Sequence, residues 1–189
     1  MTLLHETGVI HGRFQVLHND HLTYLLAGKE LCRHLVVGIT NPCPALTRDE
    51  VEDSMRSAAI SNPLSYYERS RMVADALAEV GVDRADFSVV PLPINMPEQY
   101  HYFVPMDATF YLTVYDDWGR KKLNYFQGLG IQIHVLWERA LKDKGISSTD
   151  VRTRMAEGRE WRSMVPGATA RLMDRWHIDS RLAKLHVAS

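Results

Sequence analysis

Short runs of β-branched and other apolar residues alternate with longer amphipathic segments along this chain. That alternation is typical of a parallel sheet whose strands are joined by crossover helices. The run over residues 35–40 is almost continuously apolar, which predicts a strand that is buried on both faces. Five runs of this kind are predicted as strands: residues 9–11, 35–40, 87–92, 109–115 and 131–136.

The segments between these runs predict the helices that flank such a sheet. Helices are predicted over residues 20–33, 67–80 and 147–157, and in pieces over 160–186. We therefore expect an α/β protein with a Rossmann-like parallel five-stranded sheet, flanking helices and a small helical C-terminal region. Residues 1–150 would form the core, and residues 151–189 a helical extension of the same domain. Ligands of such a sheet bind at the carboxyl ends of its strands.

The charge balance of the chain excludes several kinds of function. Its 189 residues carry 22 Lys and Arg against 23 Asp and Glu, a formal net charge of −1, which argues against a nucleic-acid-binding protein.

Neither of the two cysteines has zinc-ligating spacing, so we predict no metal site formed by side chains and expect a reducing cytoplasm. No aliphatic run approaches the ~18 residues of a membrane helix. A small-molecule partner is therefore expected.

The most informative segment is residues 8–21, GVIHGRFQVLHNDH, where a predicted strand runs through a glycine turn into a helix. A turn before a helix N-terminus presents backbone donors and a positive dipole end, which suits a triphosphate. Two histidines in the first helical turn can donate to phosphate oxygens, and an arginine adds a permanent cation. The residues predicted to contact the nucleotide here are Gly12, Arg13, Phe14, His18 and His21.

This segment resembles the first motif of the nucleotidylyltransferase superfamily, GRFQP followed by HxGH. Two positions depart from the motif: Val16 stands in place of the proline, and Asp20 in place of the glycine of HxGH. A glycine there lets a nucleotide base approach the backbone closely. A carboxylate would crowd the base, repel phosphate or accept from an exocyclic amine, and the sequence leaves these alternatives open. Asp20 is assigned to nucleotide binding on this basis.

A second motif, ISSTDVR, lies at residues 146–152. Hydroxyl side chains at a helix start cap the helix in any protein, but an arginine one turn later suits an anion. The segment resembles the superfamily's ISSTxxR signature, and its place after the fifth predicted strand would bring it to the same crevice as the first motif. The residues assigned to the nucleotide here are Ser147, Ser148, Thr149 and Arg152.

Over roughly residues 8–166 the chain resembles the archaeal-type nicotinamide mononucleotide (NMN) adenylyltransferases. In that family an aromatic residue just before Val-Pro stacks on the nicotinamide ring. Phe103 occupies the matching position, and packing in the core is an equally good interpretation of it. The segments that parallel their NPF…GER, PLPDIN and TEIRRRM motifs are residues 62–69, 91–95 and 149–155.

The stretch after the fourth predicted strand resembles a different group. Residues 116–119, DDWG, are similar to the GDDWxGK element of the glycerol-3-phosphate-type cytidylyltransferases, whose GISTT resembles residues 145–149. The two aspartates would either cap the following helix or hydrogen-bond the hydroxyls of an acceptor. The predicted acceptor-binding residues are Phe103, Asp116, Asp117 and Trp118.

These resemblances imply an enzyme that transfers a nucleoside monophosphate from a triphosphate to a phosphate acceptor and releases pyrophosphate. Our leading hypothesis is an adenylyltransferase of NMN or nicotinate mononucleotide in NAD biosynthesis. The alternatives are a cytidylyltransferase that uses CTP and a phosphomonoester, and a catalytically weak nucleotide-binding sensor. The acceptor phosphate is already anionic at neutral pH, so catalysis requires alignment and charge neutralisation rather than a general base.

The resemblance also implies a role for each basic side chain. The predicted catalytic residues are His18 and His21 at the α and β phosphates, and Arg13 and Arg152 at the β and γ phosphates. Ser147 and Thr149 are expected at the γ-phosphate end. Mg²⁺ is the expected cofactor, bound through substrate phosphates and needing few protein ligands. The expected partners are ATP or CTP and a small phosphorylated acceptor, with no nucleic acid and no membrane, and related enzymes suggest a homo-oligomer.

Overall fold

The computed structural model describes residues 4–47, 61–140, 142 and 145–187. Within them, five strands form one sheet in the order β3-β2-β1-β4-β5, and every neighbouring pair is parallel. The predicted α/β Rossmann-like fold is thereby confirmed. The strands are β1 (His5–Gly12), β2 (Cys32–Ile39), β3 (Phe87–Pro91), β4 (Thr109–Val114) and β5 (Ile133–Glu138).

Six α-helices lie in the described ranges, and the first four follow strands or the loops after them. Two further helices, α5 and α6, form the helical C-terminal region that the sequence predicts; the division of the chain at residue 150 stays a prediction. The helices are α1 (Asn19–Lys29), α2 (Tyr66–Glu79), α3 (Asp117–Gly128), α4 (Ser148–Ala156), α5 (Gly167–Arg175) and α6 (Ile178–Val187).

Helix α1 is shorter than the helix predicted over residues 20–33. It ends at Lys29, and Cys32 already pairs with His5 in the ladder between β2 and β1. The backbone N–H of His5 also donates to the Leu31 carbonyl at 3.0 Å. The spacing of the leucines does not show where the helix ends, because Leu31 fits the helical spacing although it lies after the helix and directly before the strand. Pairing with β1 decides where the helix stops.

Side chains alternate across the sheet, so each face has its own core. Ile10 of β1 packs into a cluster with residues of α1, α2 and the C-terminal helices, including Leu25, Met72 and Leu182. The preceding residue, Val9, packs on the opposite face with residues of β4 and α3. The sheet is therefore covered on both sides, and its open edge is the one at the carboxyl ends of the strands.

The C-terminal region is held to α2 by a partly buried ion pair. Arg181 of α6 donates to both carboxylate oxygens of Glu68, at 2.9 and 2.7 Å. Glu68 also accepts from the backbone N–H of Ser65, whose hydroxyl caps α2 in return. Burial alone would raise the pKa of Glu68, but the bonds from Arg181 and Ser65 outweigh it and hold that pKa below its ordinary value.

The order of the strands reverses between β1 and β4, because the chain first builds the sheet outward through β2 and β3 and then returns to the other side of β1. A crevice opens at such a reversal, outside the carboxyl ends of the two central strands. No helix among the described residues combines the length and the apolar character that crossing a bilayer requires.

Candidate active site

A cavity of about 380 Å³ opens at this reversal. The segment after β1, the residues around the end of β4 and the start of α4 all contribute to its wall. The two motifs singled out in the sequence thus meet across a single cavity. The lining residues include His11, Gly12, Arg13, Phe14, His18, Asp20, His21, Tyr24, Thr113, Tyr115, Asp116, Lys122, Trp137, Gly145, Ile146, Ser147, Ser148, Thr149 and Arg152.

The turn after β1 is tightly built. Phe14 has φ of +51°, in the left-handed region that non-glycine residues rarely adopt, and its side chain is 1% exposed. Gly12 accommodates it, because a Cβ at that position would lie 2.8 Å from the Phe14 ring. Beneath the turn, the buried guanidinium of Arg69 donates to the carbonyls of Arg13 at 3.0 Å and Thr40 at 2.7 Å. The turn that carries Arg13 is therefore held in place by hydrogen bonds from a buried guanidinium group to main-chain carbonyls.

Burial, and then the nearby charge of Arg13, lower the pKa of Arg69 to about 10. Arg69 stays protonated at neutral pH despite this, so it remains a donor to the turn. The sequence gives little indication of this role, since an arginine on a helix is ordinarily solvent-exposed.

His18 and His21 lie together at the start of α1. His18 is the N-cap residue, and its Nδ1 accepts from the backbone N–H of His21 at 3.3 Å. Because Nδ1 acts as an acceptor, the neutral ring carries its proton on Nε2. The two imidazole rings stack with centroids 3.6 Å apart, and the Phe14 ring meets His21 edge-on at 5.0 Å. Packing thus fixes both rings at the cavity wall.

Hydroxyl groups of the second motif perform two different tasks. Ser147 caps α4, where its Oγ accepts from the N–H of Asp150 at 3.1 Å. Ser148 instead donates from its hydroxyl to the carbonyl of Val16 at 2.8 Å. One hydroxyl therefore starts the helix, and the other ties the second motif to the first.

Arg152 joins the two motifs a second time. Its Nη1 donates to the Gln15 carbonyl, and its Nη2 donates to Thr149 Oγ1 at 3.3 Å. Burial, and then the positive charge of Arg13, lower the pKa of Arg152 to about 10, which leaves it protonated at neutral pH. Two guanidinium groups close enough to affect each other's ionisation favour an anion between them.

Asp20 makes a contact that none of the three sequence-based alternatives anticipated. Its Oδ2 accepts from the backbone N–H of Ile146 at 2.6 Å. A Cβ at position 145 would overlap that carboxylate, so Gly145 is required where the two segments meet. Asp20 therefore fixes the loop before α4 against the start of α1.

Three helix N-termini point toward this edge of the sheet, those of α1, α3 and α4. Their dipoles add a positive potential to that of Arg13 and Arg152. No group of three or more His, Cys, Asp or Glu side chains suited to a metal ion occurs in the ranges that the structure describes. The arrangement is that of a site for a polyanion.

Most of the residues that line the remaining part of the cavity were not predicted from the sequence. Asp116, which was predicted there, caps α3: its Oδ1 accepts from Gly119 N–H at 2.8 Å. Four of the residues missed here lie at or just after the carboxyl ends of strands, where ligands of such sheets bind, and that position could have found them; Tyr24 and Lys122 lie on helices α1 and α3. The residues missed in this part of the cavity are His11, Tyr24, Thr113, Tyr115, Lys122 and Trp137.

Two predicted acceptor-binding residues do not line this cavity. Phe103 is partly buried and packs against the cluster on the α3 face of the sheet that contains Phe110 and Leu112, and its assignment to the acceptor stays a prediction. Asp117, in the first turn of α3, is exposed to solvent. The side chain of Trp118 lies outside the described part of the structure.

Comparison of the sequence with known proteins identifies the family of this chain and several relatives. A family model described as cytidylyltransferase-like matches residues 9–154. The phosphonoformate cytidylyltransferase of Streptomyces viridochromogenes is 49% identical over 93% of this chain and 95% of its own length. The nicotinamide-nucleotide adenylyltransferase of Thermococcus onnurineus is 25% identical over 87% of this chain and 80% of its own.

Among solved structures, a bifunctional NMN adenylyltransferase/ADP ribose pyrophosphatase from Francisella tularensis superposes with a TM-score of 0.60. The two chains are 16% identical, and the match covers 89% of this chain and 50% of the longer one. At 16% identity, this superposition is evidence of a shared fold and of nothing further.

Proposed function

Since this chain belongs to the cytidylyltransferase-like family of nucleotidyltransferases, we propose that it transfers the cytidylyl group of CTP to a small phosphonate acceptor of the phosphonoformate type. The observation that carries this proposal is the 49% identity to a phosphonoformate cytidylyltransferase over nearly the whole of both chains. The leading sequence hypothesis, an adenylyltransferase of NMN, has weaker support, since the relative of that kind described above is 25% identical. The alternative of a cytidylyltransferase thus becomes the better one.

The reaction requires one bond to form and one to break. A phosphonate oxygen of the acceptor attacks the α-phosphorus of CTP, a P–O–P linkage forms, and the bond from the α-phosphorus to its bridging oxygen breaks to release pyrophosphate. The attacking oxygen is already anionic at neutral pH, so no side chain has to remove a proton from it. Alignment of the two anions and neutralisation of their charge are what the protein has to supply.

We place the triphosphate of CTP between the two motifs. Arg13 and Arg152 face it with permanent charges, and His18 and His21 donate from the start of α1. These four side chains stabilise the charge that develops on the α-phosphate and on the leaving pyrophosphate. Thr149, held by Arg152 Nη2, lies on the same wall.

The cavity would take the nucleotide together with Mg²⁺. The two carboxylates on the cavity wall, Asp20 and Asp116, each accept from a backbone amide already. A magnesium ion would therefore be held mainly by the substrate, with Asp20 and Asp116 as the nearest carboxylates, and it would supply positive charge for the leaving pyrophosphate.

The nucleoside fits the aromatic part of the wall. Trp137 Nε1 donates to the Tyr115 hydroxyl at 2.7 Å, and the Tyr24 ring meets the Trp137 ring at 6.1 Å. With the indole N–H already bonded, these side chains offer ring surfaces to a pyrimidine and its ribose. The Tyr115 hydroxyl, which accepts from Trp137, keeps its own proton to donate.

Pyrophosphate release from four substrate pairs tests this function. Purified protein with Mg²⁺ is given CTP or ATP, each with phosphonoformate or with NMN, and reactions without acceptor serve as controls. We expect release with CTP and phosphonoformate. Release with ATP and NMN alone would restore the adenylyltransferase hypothesis, and tight binding of CTP without release from any pair would favour the nucleotide sensor.

A further inference from the structure

His11 is a buried histidine that no part of the proposed chemistry uses. It lies near the end of β1, is 6% exposed and lines the cavity. Within the described part of the chain, neither of its ring nitrogens has a hydrogen-bond partner. A buried donor and acceptor without partners cost stability. A ligand bound in the cavity can satisfy them.

The surroundings of His11 specify the charge of that ligand. The Phe126 ring meets the imidazole edge-to-face at 5.3 Å and holds its plane. Lys122, one helical turn before Phe126 on α3, lines the same cavity, and Thr113 adds a hydroxyl. Burial, and then the charge of Lys122, hold the pKa of His11 well below its ordinary value. At neutral pH the pair is thus a neutral imidazole with one N–H and a cation.

We propose that His11 and Lys122 form the subsite that binds the carboxylate of the acceptor. This inference rests on the proposed function and names the part of the acceptor that the protein recognises. The imidazole N–H and the ammonium provide two donors for the two oxygens of a carboxylate, and the ammonium also balances its charge.

Charge decides between the acceptor and the nucleoside as the occupant. The ribose and the cytosine base are neutral, whereas a carboxylate is attracted by the ammonium group of Lys122, which lines this wall. The phosphates of CTP are assigned to Arg13, Arg152 and the two histidines of α1. Phosphonoformate brings two anionic groups, and its phosphonate has to face the α-phosphorus of CTP, so the carboxylate beside it is the group left for His11 and Lys122. Because Phe126 closes the wall behind His11, the subsite admits a short acceptor.

Two acceptors that differ in one group test the subsite. Phosphonoformate carries a carboxylate on phosphorus, and methylphosphonate carries a methyl group there. For the unaltered protein with CTP we expect kcat/KM to favour phosphonoformate by roughly 100-fold, as sites built to hydrogen-bond a group reject analogues without it. His11→Phe and Lys122→Met should each reduce this preference to about tenfold or less, through a higher KM for phosphonoformate.

Three controls separate the subsite from a general loss of structure. The KM for CTP should stay within about twofold in both variants, since the proposal assigns both residues to the acceptor and neither to the nucleotide. His11→Asn, which keeps an N–H donor, should retain more of the preference than His11→Phe. His34→Phe makes the same change in β2, where the ring contacts Ser88 and Ala85 rather than the cavity, and should leave the preference unchanged.

A binding measurement gives an independent readout. In ¹⁵N NMR of the histidine rings, phosphonoformate should raise the pKa of His11, because a bound carboxylate stabilises the imidazolium form. If the unaltered protein uses phosphonoformate but both His11→Phe and Lys122→Met keep its preference over methylphosphonate, the subsite is wrong and the function stands. If His11→Phe does not fold, Lys122→Met makes the same test. If the unaltered protein uses phosphonoformate with neither nucleotide, the function itself fails.

Discussion

The carboxylate of Asp20 accepts a hydrogen bond from the backbone amide of Ile146, 126 positions further along the chain, at 2.6 Å. This bond joins the first turn of α1 to the loop before α4, and Gly145 makes room for it. The bonds of Ser148 to Val16 and of Arg152 to Gln15 join the same two segments. The wall of the cavity in which we propose that CTP binds is thus held together by contacts between its two motifs.

Asp20→Ala should loosen this wall. The Ile146 N–H would lose a charged acceptor, and we expect kcat/KM for CTP to fall about tenfold, the lower end of what a hydrogen bond to a charged group contributes. Asp20→Asn, which retains an acceptor oxygen, should lose less. Steady-state kinetics with varied CTP measure both variants. Equal and negligible effects would mean that the contact does not support nucleotide binding.

His21→Ala should reduce kcat by ~10²-fold or more, because it removes a donor that packing holds ready for the transferring phosphate. The KM for CTP should change less than kcat. His101→Ala is the matched control, since that histidine is exposed and off the cavity. An unchanged kcat in His21→Ala would remove this residue from the reaction.

Arg152→Ala should lower kcat/KM for CTP by roughly 100-fold, since it removes both a cation facing the phosphates and the bonds to Gln15 and Thr149. Arg152→Lys keeps the charge without the forked donors and should recover part of the loss. The control is Arg154→Ala on the same helix, which should stay within about twofold. A similar loss in Arg154→Ala would point to damage of α4 rather than to loss of phosphate contacts.

Glu68→Gln should destabilise the protein in a pH-dependent way. The folded pKa of Glu68 lies below its ordinary value, so its contribution to stability is full above that ordinary value, about 4.3, and is lost as pH falls through the folded pKa. We expect the variant to lose about 2 kcal/mol at pH 7 and the difference to shrink toward pH 3.

Urea unfolding at several pH values measures this difference. Glu157→Gln is the control, because the pair of Glu157 with Arg159 is exposed and contributes little. A loss in Glu68→Gln that stays constant between pH 7 and pH 3 would show that the ion pair with Arg181 is not its source.

Much of the fold follows from local sequence. The strands are predicted near their true positions because apolar runs mark them in the sequence. In β2, for example, residues 35–39 are buried on both faces of the sheet and form a continuous apolar run. The end of α1 could not be predicted in this way, since the pairing of Cys32 with His5 decides it. The two motifs were expected to converge because both follow strands of one parallel sheet, and they line one cavity.

Individual contacts in the site were less predictable. Asp20 was assigned to the nucleotide from its place in the first motif, and its bond to the backbone of Ile146, far along the chain, leaves no signal in the sequence. His11 was not selected because a lone histidine in a strand gives no signal until its neighbours on α3 are known. Phe103 was selected by its position before Val104, and its partly buried ring packs against the core on the α3 face.

The identity of the reaction product tests the proposed cytidylyltransferase activity most directly. ³¹P NMR of the protein with CTP, Mg²⁺ and phosphonoformate should show pyrophosphate together with two new, mutually coupled signals from a phosphonate joined to the α-phosphate of CMP. CTP that stays intact beside phosphonoformate, while ATP and NMN are converted to a dinucleotide under the same conditions, would contradict it.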